Sequence, residues 1–206
     1  MFWENYFGGF CMMDCTLIAC GIGYSHENSV EIYDSIHNVN ILALDKAYTV
    51  SQLMSNWNIQ VHNWLKYYVM LRWIDRSKPK HIVQPFPIFM SFAMSLIWHG
   101  FWPGYFLTFL GAAVLDILGK NIARTAIAHQ IKEIVPRKVL LVFVYIFNRF
   151  SVSFFCCAFL YQYVTDFNIV YRAFYYAGFW IVLAMMGAVM VLPKRKSDRH
   201  EKEKSA

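Results

Sequence analysis

Long apolar stretches separated by short polar ones set the pattern of this chain. Five runs are apolar over roughly the 20 residues that a helix needs to cross a bilayer. They cover residues 2–24, 82–101, 103–119, 139–163 and 168–192. Asp14, Asp116 and Arg149 lie within the first, third and fourth of these runs. The pattern predicts an all-α, polytopic transmembrane helical bundle with about five spanning helices.

Three other segments are too polar to span a membrane. Residues 25–55 favour a connecting segment with short helices. Residues 57–74 favour a helix that lies at the interface or enters a protein-lined cavity. Residues 194–206 carry too much charge to pack, so we expect them to be disordered. We therefore expect a membrane-embedded domain over residues 1–193, followed by a basic tail.

The basic residues predict the orientation of the helices. Lys and Arg cluster in residues 72–80, 120–138 and 194–206, and they are absent from the joints at 102–103 and 164–167. If the last four runs cross in turn, all three basic segments fall on one side of the membrane. The positive-inside rule makes that side the cytoplasm, and it places the C-terminus there. The second basic segment also has the pattern of an amphipathic interfacial helix.

Composition supports a membrane protein. Of the 206 residues, 58% are hydrophobic and only 16% are charged, against about 25% charged in an average soluble domain. The net charge of +6 lies in the segments between apolar runs, which argues against nucleic acid as a partner. The five cysteines lie within apolar runs without metal-site or disulfide-framework spacing, so we expect neither a metal nor a redox cofactor. We also find no convincing signal peptide.

A histidine lies inside the second apolar run and requires an explanation. His99 is followed by Gly100, and Pro103 and Gly104 come shortly after. The glycines allow a backbone or ligand to approach closely, and the proline breaks the helix. An ionisable side chain at such a break can face a cavity, where neutral histidine acts as a base. Alternatively, a neutral histidine bonded to a carbonyl tethers two helices.

Asn58 belongs to a second polar cluster, within residues 55–65. Its carboxamide is both a donor and an acceptor of hydrogen bonds, and it cannot change charge. Such a group is suited to orienting a hydroxyl or a carbonyl. Asparagine is also a favoured helix N-cap, and this alternative stays open.

Two motifs together resemble the paired signatures of membrane-bound O-acyltransferases. They are "WNIQVHNWLKYYV" at 57–69 and "WHGFWPGYFLTF" at 98–109. Their order and separation are most similar to those of the lysophospholipid acyltransferase branch. The stretch "FGGFCMMDCTLIACGIGY" at 7–24 also resembles the segment upstream of these signatures. Members of the family are usually more than twice as long, so we expect this chain to correspond to the C-terminal part of one.

The resemblance implies an enzyme that moves a fatty acyl group from acyl-CoA to the free hydroxyl of a lysophospholipid. It implies that His99 is the catalytic base and that Asn58 is its partner. It also predicts substrate-binding residues in and around the two motifs. These are Trp57, Trp64, Trp98, Gly100, Pro103, Gly104 and Tyr105. Each aromatic residue could equally serve packing.

Alternatives to this function stay open. Within the same family, the alternative is a diacylglycerol or sterol O-acyltransferase, which "WNIQVHNW" partly resembles. From another class, the chain could be a non-catalytic membrane fragment or scaffold. The expected partners are the lipid bilayer, acyl-CoA and a lysophospholipid; the pattern gives no oligomeric state.

Further basic residues suggest contacts and a location. Basic side chains of the first basic segment are candidates for CoA phosphates or simply mark the topology. These are Arg72, Arg76, Lys78 and Lys80. Arg149 should form an ion pair, with Asp14 or Asp116, or contact a substrate phosphate. Lys202 and Lys204 resemble a dilysine retrieval signal, which predicts the endoplasmic reticulum membrane, although a charged tail alone would look similar.

Overall fold

A computed structural model describes residues 2–27, 30–32, 36–78 and 83–194. The described chain is mainly helical, as predicted, with one small antiparallel hairpin of strands β1 (Ser25–Glu27) and β2 (Val30–Ile32). The helices are α1 (Phe2–Ala19), α2 (Ile41–Asp45), α3 (Val50–Asn56), α4 (Ile59–Trp64), α5 (Leu71–Trp73), α6 (Pro85–His99), α7 (Pro103–Ile122), α8 (Ala126–Ile134), α9 (Arg137–Leu160), α10 (Val164–Ala173) and α11 (Ala177–Val191). A π-helical segment, Leu65–Met70, joins α4 to α5.

Prolines and capping side chains set the helix boundaries. Pro85 and Pro103 occupy the first turns of α6 and α7, where the missing amide hydrogen costs nothing. Thr49 caps α3 in a capping box with Gln52, and Thr125 caps α8. These contacts satisfy amide groups that would otherwise lack partners at the helix starts.

The pair of helices α7 and α9 forms the centre of the bundle. Gly104 and Gly111 on α7 face α9 so closely that an added Cβ would meet Ala158 O at 2.0 Å and the Phe155 ring at 2.3 Å. Thr108 Oγ1, between the two glycines, donates to the carbonyl oxygen of Phe155 at 2.9 Å. Small residues at this spacing allow helix backbones to approach closely. The approach is antiparallel, since later residues of α7 meet earlier residues of α9.

The structure has fewer candidate membrane spans than the five predicted runs. Among the described residues, α7 and α9 are long and apolar enough to cross a membrane. The pair α10 and α11 would make a third span, but it is bent by 76°. The bend lies at Tyr175 and Tyr176, whose φ values of 49° and 54° are left-handed. This backbone conformation interrupts the helix.

The other two predicted spans are short in the structure. Helix α6 has 15 residues, which extend about 22 Å at 1.5 Å per residue, less than the roughly 30 Å of a hydrocarbon core. The first run forms α1, in which Tyr6–Ala19 is one of the shorter apolar helices among the described residues. The amphipathic prediction for residues 120–138 corresponds to the end of α7, to α8 and to the start of α9. Residues 195–206 of the predicted tail, with Lys202 and Lys204, lie outside the described residues.

The ion pair predicted for Arg149 is wrong. The Arg149 guanidinium instead donates to the carbonyl oxygens of Leu44 and Asp45 and lies 4.9 Å from the centre of the Tyr145 ring. Asp14 accepts hydrogen bonds from Asn38, and Asp116 pairs with Lys120. Arg149 thus fixes α2 to α9 through backbone carbonyls.

Candidate active site

His99 is the last residue of α6, and aromatic rings hold its imidazole. Gly100 follows with a φ of 102°, a conformation that glycine adopts without a steric penalty and that ends the helix. The His99 ring lies 5.6 Å and 4.9 Å from the ring centres of Tyr105 and Phe109 on α7, and 5.4 Å from that of Phe159 on α9. The alternative considered for His99 was a hydrogen bond from its imidazole to a carbonyl of another helix. No such hydrogen bond is formed within the described residues. The imidazole nitrogens are therefore available to a substrate.

Asn58 holds the N-cap position of α4, but its side chain does not cap the helix. Its backbone is left-handed, with φ 47° and ψ 54°, a conformation that asparagine tolerates better than most residues. Its carbonyl oxygen accepts from the His62 amide at 2.9 Å. Within the described residues its carboxamide makes no hydrogen bond, so the capping function that we considered from the sequence is not used. The carboxamide is free to contact a ligand.

His99 and Asn58 line the same cavity. The cavity has a volume of about 540 Å³ and is lined by residues of α2, α3, α4, the π-helical segment, α6, α7 and α9, with Tyr6 and Phe10 of α1. Its wall is mostly apolar, with a few polar side chains. That size and character are typical of pockets for small organic ligands. The structure thus brings the two predicted catalytic residues to one chamber, while their catalytic roles stay predictions.

The predicted tryptophans lie at or beside this cavity. Trp57 and Trp98 line it. Trp57 also packs against Phe10 of α1 at 5.1 Å between ring centres. Trp64 packs behind Trp98 at a tilt, with 5.5 Å between the ring centres. The three indoles therefore shape the cavity, two of them directly.

The other predicted substrate-binding residues do not line the cavity. Gly104 serves the approach of α7 to α9, and its amide donates to Gln162 O at 3.1 Å. Tyr105 supports the His99 ring, and its hydroxyl accepts from Gln162 Nε2 at 2.6 Å. Gly100 and Pro103 end α6 and begin α7. Gly104, Thr108 and Gly111 are small residues spaced along one helix face, a pattern that predicts close packing against another helix.

A polar cluster at another part of the cavity was not predicted. Asp116 of α7 is buried, accepts from Ser51 Oγ at 2.6 Å and pairs with Lys120. His62 and Lys66, four and eight residues after Asn58, line the same cavity. Burial lowers the pKa of His62, Lys66 lowers it further and Asp116 opposes the shift. The i, i+4 spacing of Asn58, His62 and Lys66 was a signal that they share one helix face.

The basic residues predicted to meet CoA phosphates lie elsewhere. Arg72, Arg76 and Lys78 are exposed and do not line the cavity, and Lys78 pairs with Asp75. Lys80 lies outside the described residues. Arg149, in contrast, lines the cavity. No group of three His, Cys, Asp or Glu side chains that could hold a metal ion occurs in the described part of the chain.

Comparison with known proteins supports the resemblance found in the motifs. The sequence model of the membrane-bound O-acyltransferase family matches residues 1–164. The chain is 28% identical over 206 residues to lysophospholipid acyltransferase 2 of Arabidopsis thaliana, an alignment that covers 97% of this chain and 43% of the plant protein. It is 27% identical over 202 residues to membrane-bound glycerophospholipid O-acyltransferase 2 of Homo sapiens, covering 96% of this chain and 36% of the human protein. The chain thus spans less than half the length of these relatives.

Proposed function

Because the chain belongs to the membrane-bound O-acyltransferase family, we propose that it moves a fatty acyl group from acyl-CoA to the free hydroxyl of a lysophospholipid. The names of its relatives, which are lysophospholipid and glycerophospholipid acyltransferases, support this acceptor class. The observation that carries the proposal is the shared cavity of His99 and Asn58, with both side chains free of other hydrogen bonds in the described structure. The setting that we propose is the endoplasmic reticulum membrane, with the C-terminus in the cytoplasm.

His99 is the general base of the proposed reaction. An alcohol is a weak nucleophile until its proton is removed. The neutral imidazole takes the proton of the lysophospholipid hydroxyl while the hydroxyl oxygen attacks the thioester carbonyl carbon. The carbon–sulfur bond then breaks, and the leaving thiolate receives the proton from His99 to give free CoA. General-base assistance of this kind contributes roughly 10²–10⁴ in rate.

Asn58 acts beside His99 through its carboxamide. The NH₂ group donates a hydrogen bond to the thioester oxygen as negative charge develops on it, or it orients the acceptor hydroxyl. The Asn58 side chain makes no capping hydrogen bond to α4. The apolar wall, including Trp57 and Trp98, accommodates acyl chains.

An acyl-transfer assay tests the function. The full chain is reconstituted in nanodiscs with labelled oleoyl-CoA and a panel of lysophospholipids, monoacylglycerol, diacylglycerol and cholesterol. We expect transfer to a lysophospholipid and its loss in His99→Ala, while the exposed histidine control His37→Ala keeps it. Transfer to diacylglycerol or cholesterol alone would favour the sterol and diacylglycerol branch. Absence of transfer by the wild-type chain to every acceptor would reject enzymatic activity of this chain.

A further inference from the structure

A short segment of the chain supports the turn that carries Asn58. Residues 56–60 form this turn, which we call the Asn58 turn, and residues 37–40 form the supporting segment. The two lie antiparallel beside each other. Directly after Asn58, the Ile59 amide donates to the carbonyl oxygen of Asn38 at 2.8 Å. The turn is thus tied to the supporting segment one residue past its left-handed position.

The residues before Asn58 have partners in the same segment. The carbonyl oxygen of Asn56 accepts from the Asn40 amide at 3.1 Å. Trp57 pairs with Val39 in an isolated antiparallel bridge. Because backbone groups on both sides of Asn58 are bonded, the place of its carboxamide in the cavity depends on where the supporting segment lies.

A carboxylate of α1 fixes the supporting segment. Asp14 accepts from the backbone amide of Asn38 at 3.1 Å and from its side-chain Nδ2 at 2.7 Å. Asn38 is buried, with 4% of its surface exposed, so its donors would be costly to leave without an acceptor. Hydrogen bonds to an ionised acceptor are shorter and stronger than those to a neutral one. Asp14 thus anchors the residue whose carbonyl oxygen receives the Ile59 amide.

The contact with Asn38 also explains why a carboxylate occurs in the apolar helix α1. Ionisable residues in such helices are expensive and need a specific partner. Among the described residues, Asp14 forms no ion pair with a lysine or arginine, and Asn38 supplies the hydrogen bonds that its carboxylate accepts. Rings of the same helix pack on Trp57 of the turn, with Phe10 at 5.1 Å between ring centres. Helix α1 therefore holds the Asn58 turn through a carboxylate and through aromatic packing.

We propose that Asp14 and Asn38 are positioning residues that hold the Asn58 carboxamide in place for the reaction. The inference rests on the proposed function, in which Asn58 acts beside His99. Neither Asp14 nor Asn38 lines the cavity, so both act on the reaction only through the Asn58 turn. Displacing an oriented group by about 1 Å costs about 100-fold in rate, so this support affects the chemical step.

An exchange of the two side chains tests the hydrogen bond itself. Asn38→Asp places a second carboxylate where the Asn38 carboxamide donates to Asp14 at 2.7 Å, so the two side chains repel each other. Adding Asp14→Asn restores one carboxamide and one carboxylate in reversed positions. In nanodiscs with oleoyl-CoA and a lysophospholipid, Asn38→Asp should lower kcat about tenfold to 100-fold, and the double variant should recover most of the loss. Thr16→Val, which removes a hydroxyl bonded within α1, should behave as wild type.

The kinetic pattern separates positioning from a general effect on the fold. Because Asn58 is proposed to act on the transition state, Asn38→Asp should lower kcat with the KM values of both substrates nearly unchanged. In an Asn58→Gly background, Asn38→Asp should reduce kcat little further, because the carboxamide that it positions is gone. Losses that multiply in the combined variant, or KM values that rise as kcat falls, would overturn the positioning role.

Hydrogen–deuterium exchange separates this inference from the function. Peptides that contain the Ile59 amide, which donates to Asn38, report the state of the Asn58 turn without any substrate. In Asn38→Asp and in Asp14→Ala this amide should exchange at least about tenfold faster than in wild type, while unchanged exchange in α7 and α9 shows that the chain is folded.

The exchanged pair of side chains should restore wild-type protection. Unchanged exchange at Ile59 in both Asn38→Asp and Asp14→Ala would overturn the inference. A wild-type chain that transfers no acyl group would reject the proposed function, and the exchange pattern would still decide whether these two residues hold the Asn58 turn.

Discussion

Replacing Gly104 by alanine tests the packing of α7 against α9, the two helices whose aromatic rings contact His99. An alanine Cβ would lie 2.0 Å from Ala158 O, about 1.4 Å inside ordinary contact distance, and 2.9 Å from Gln162 Cα. Both partners are backbone atoms, so α7 and α9 must separate. Overpacking of this kind costs about 1–3 kcal/mol, and separation weakens the Thr108–Phe155 hydrogen bond by about 1 kcal/mol more. The better helix propensity of alanine returns about 1 kcal/mol.

The expected net loss is about 2 kcal/mol of unfolding free energy, or a Tm lower by about 4–8 °C for a chain of this size. The assay is thermal unfolding of the purified chain in detergent, followed by circular dichroism. Gly119→Ala is the matched control, since Gly119 lies on the same helix and an added Cβ there meets nothing within 4 Å. The control should be as stable as wild type or slightly more stable. A Gly104→Ala chain as stable as the Gly119→Ala chain would refute the assignment of Gly104 to helix packing.

Three further substitutions probe single contacts. Thr108→Val removes the hydrogen bond to Phe155 O and should lower Tm by about 2–4 °C, for a loss of about 1 kcal/mol, whereas Thr165→Val on the surface should not. Burial holds the pKa of His62 below its usual 6.5, so the unfolded chain binds the proton more readily and the protein loses stability as the pH falls below 6.5. Between pH 7.5 and 5.5, the Tm should therefore fall less in His62→Gln than in wild type. Equal falls in the two proteins would contradict this. Asn58→Gly suits the left-handed backbone and should unfold at or above the wild-type temperature, with Asn58→Ala below it.

The apolar pattern predicted helices well and their lengths poorly. Runs 103–119 and 139–163 became the long helices α7 and α9, because neither contains a proline beyond its first residue. The run 168–192 is broken at Tyr175 and Tyr176, where neither glycine nor proline announces a turn. Beside the break, Tyr176 donates its hydroxyl to Asn168 Oδ1 at 2.8 Å, and Gly178 packs directly against the Phe154 ring of α9. A hydropathy pattern does not contain such a contact.

The sequence predicted the two central residues of the site but not the polar cluster around Asp116. His99 and Asn58 belong to two recognisable motifs, so their proximity to one cavity could be expected. The partners of Asp116 could not, because Ser51 lies 65 positions away along the chain. Arg149 similarly contacts carbonyls 104 and 105 positions away. Long-range polar contacts leave no periodic signal, which explains the wrong ion pair.

A double-substitution cycle on the rate of acyl transfer tests the central claim most directly. Asn58→Gly and His99→Gln are measured singly and together with oleoyl-CoA and a lysophospholipid, at saturating concentrations of both. Residues that serve one transition state lose their effects non-additively. We therefore predict that His99→Gln lowers kcat by at least about 100-fold and that adding Asn58→Gly costs little more. Full activity of His99→Gln, or losses that simply multiply, would contradict a catalytic unit of imidazole and carboxamide.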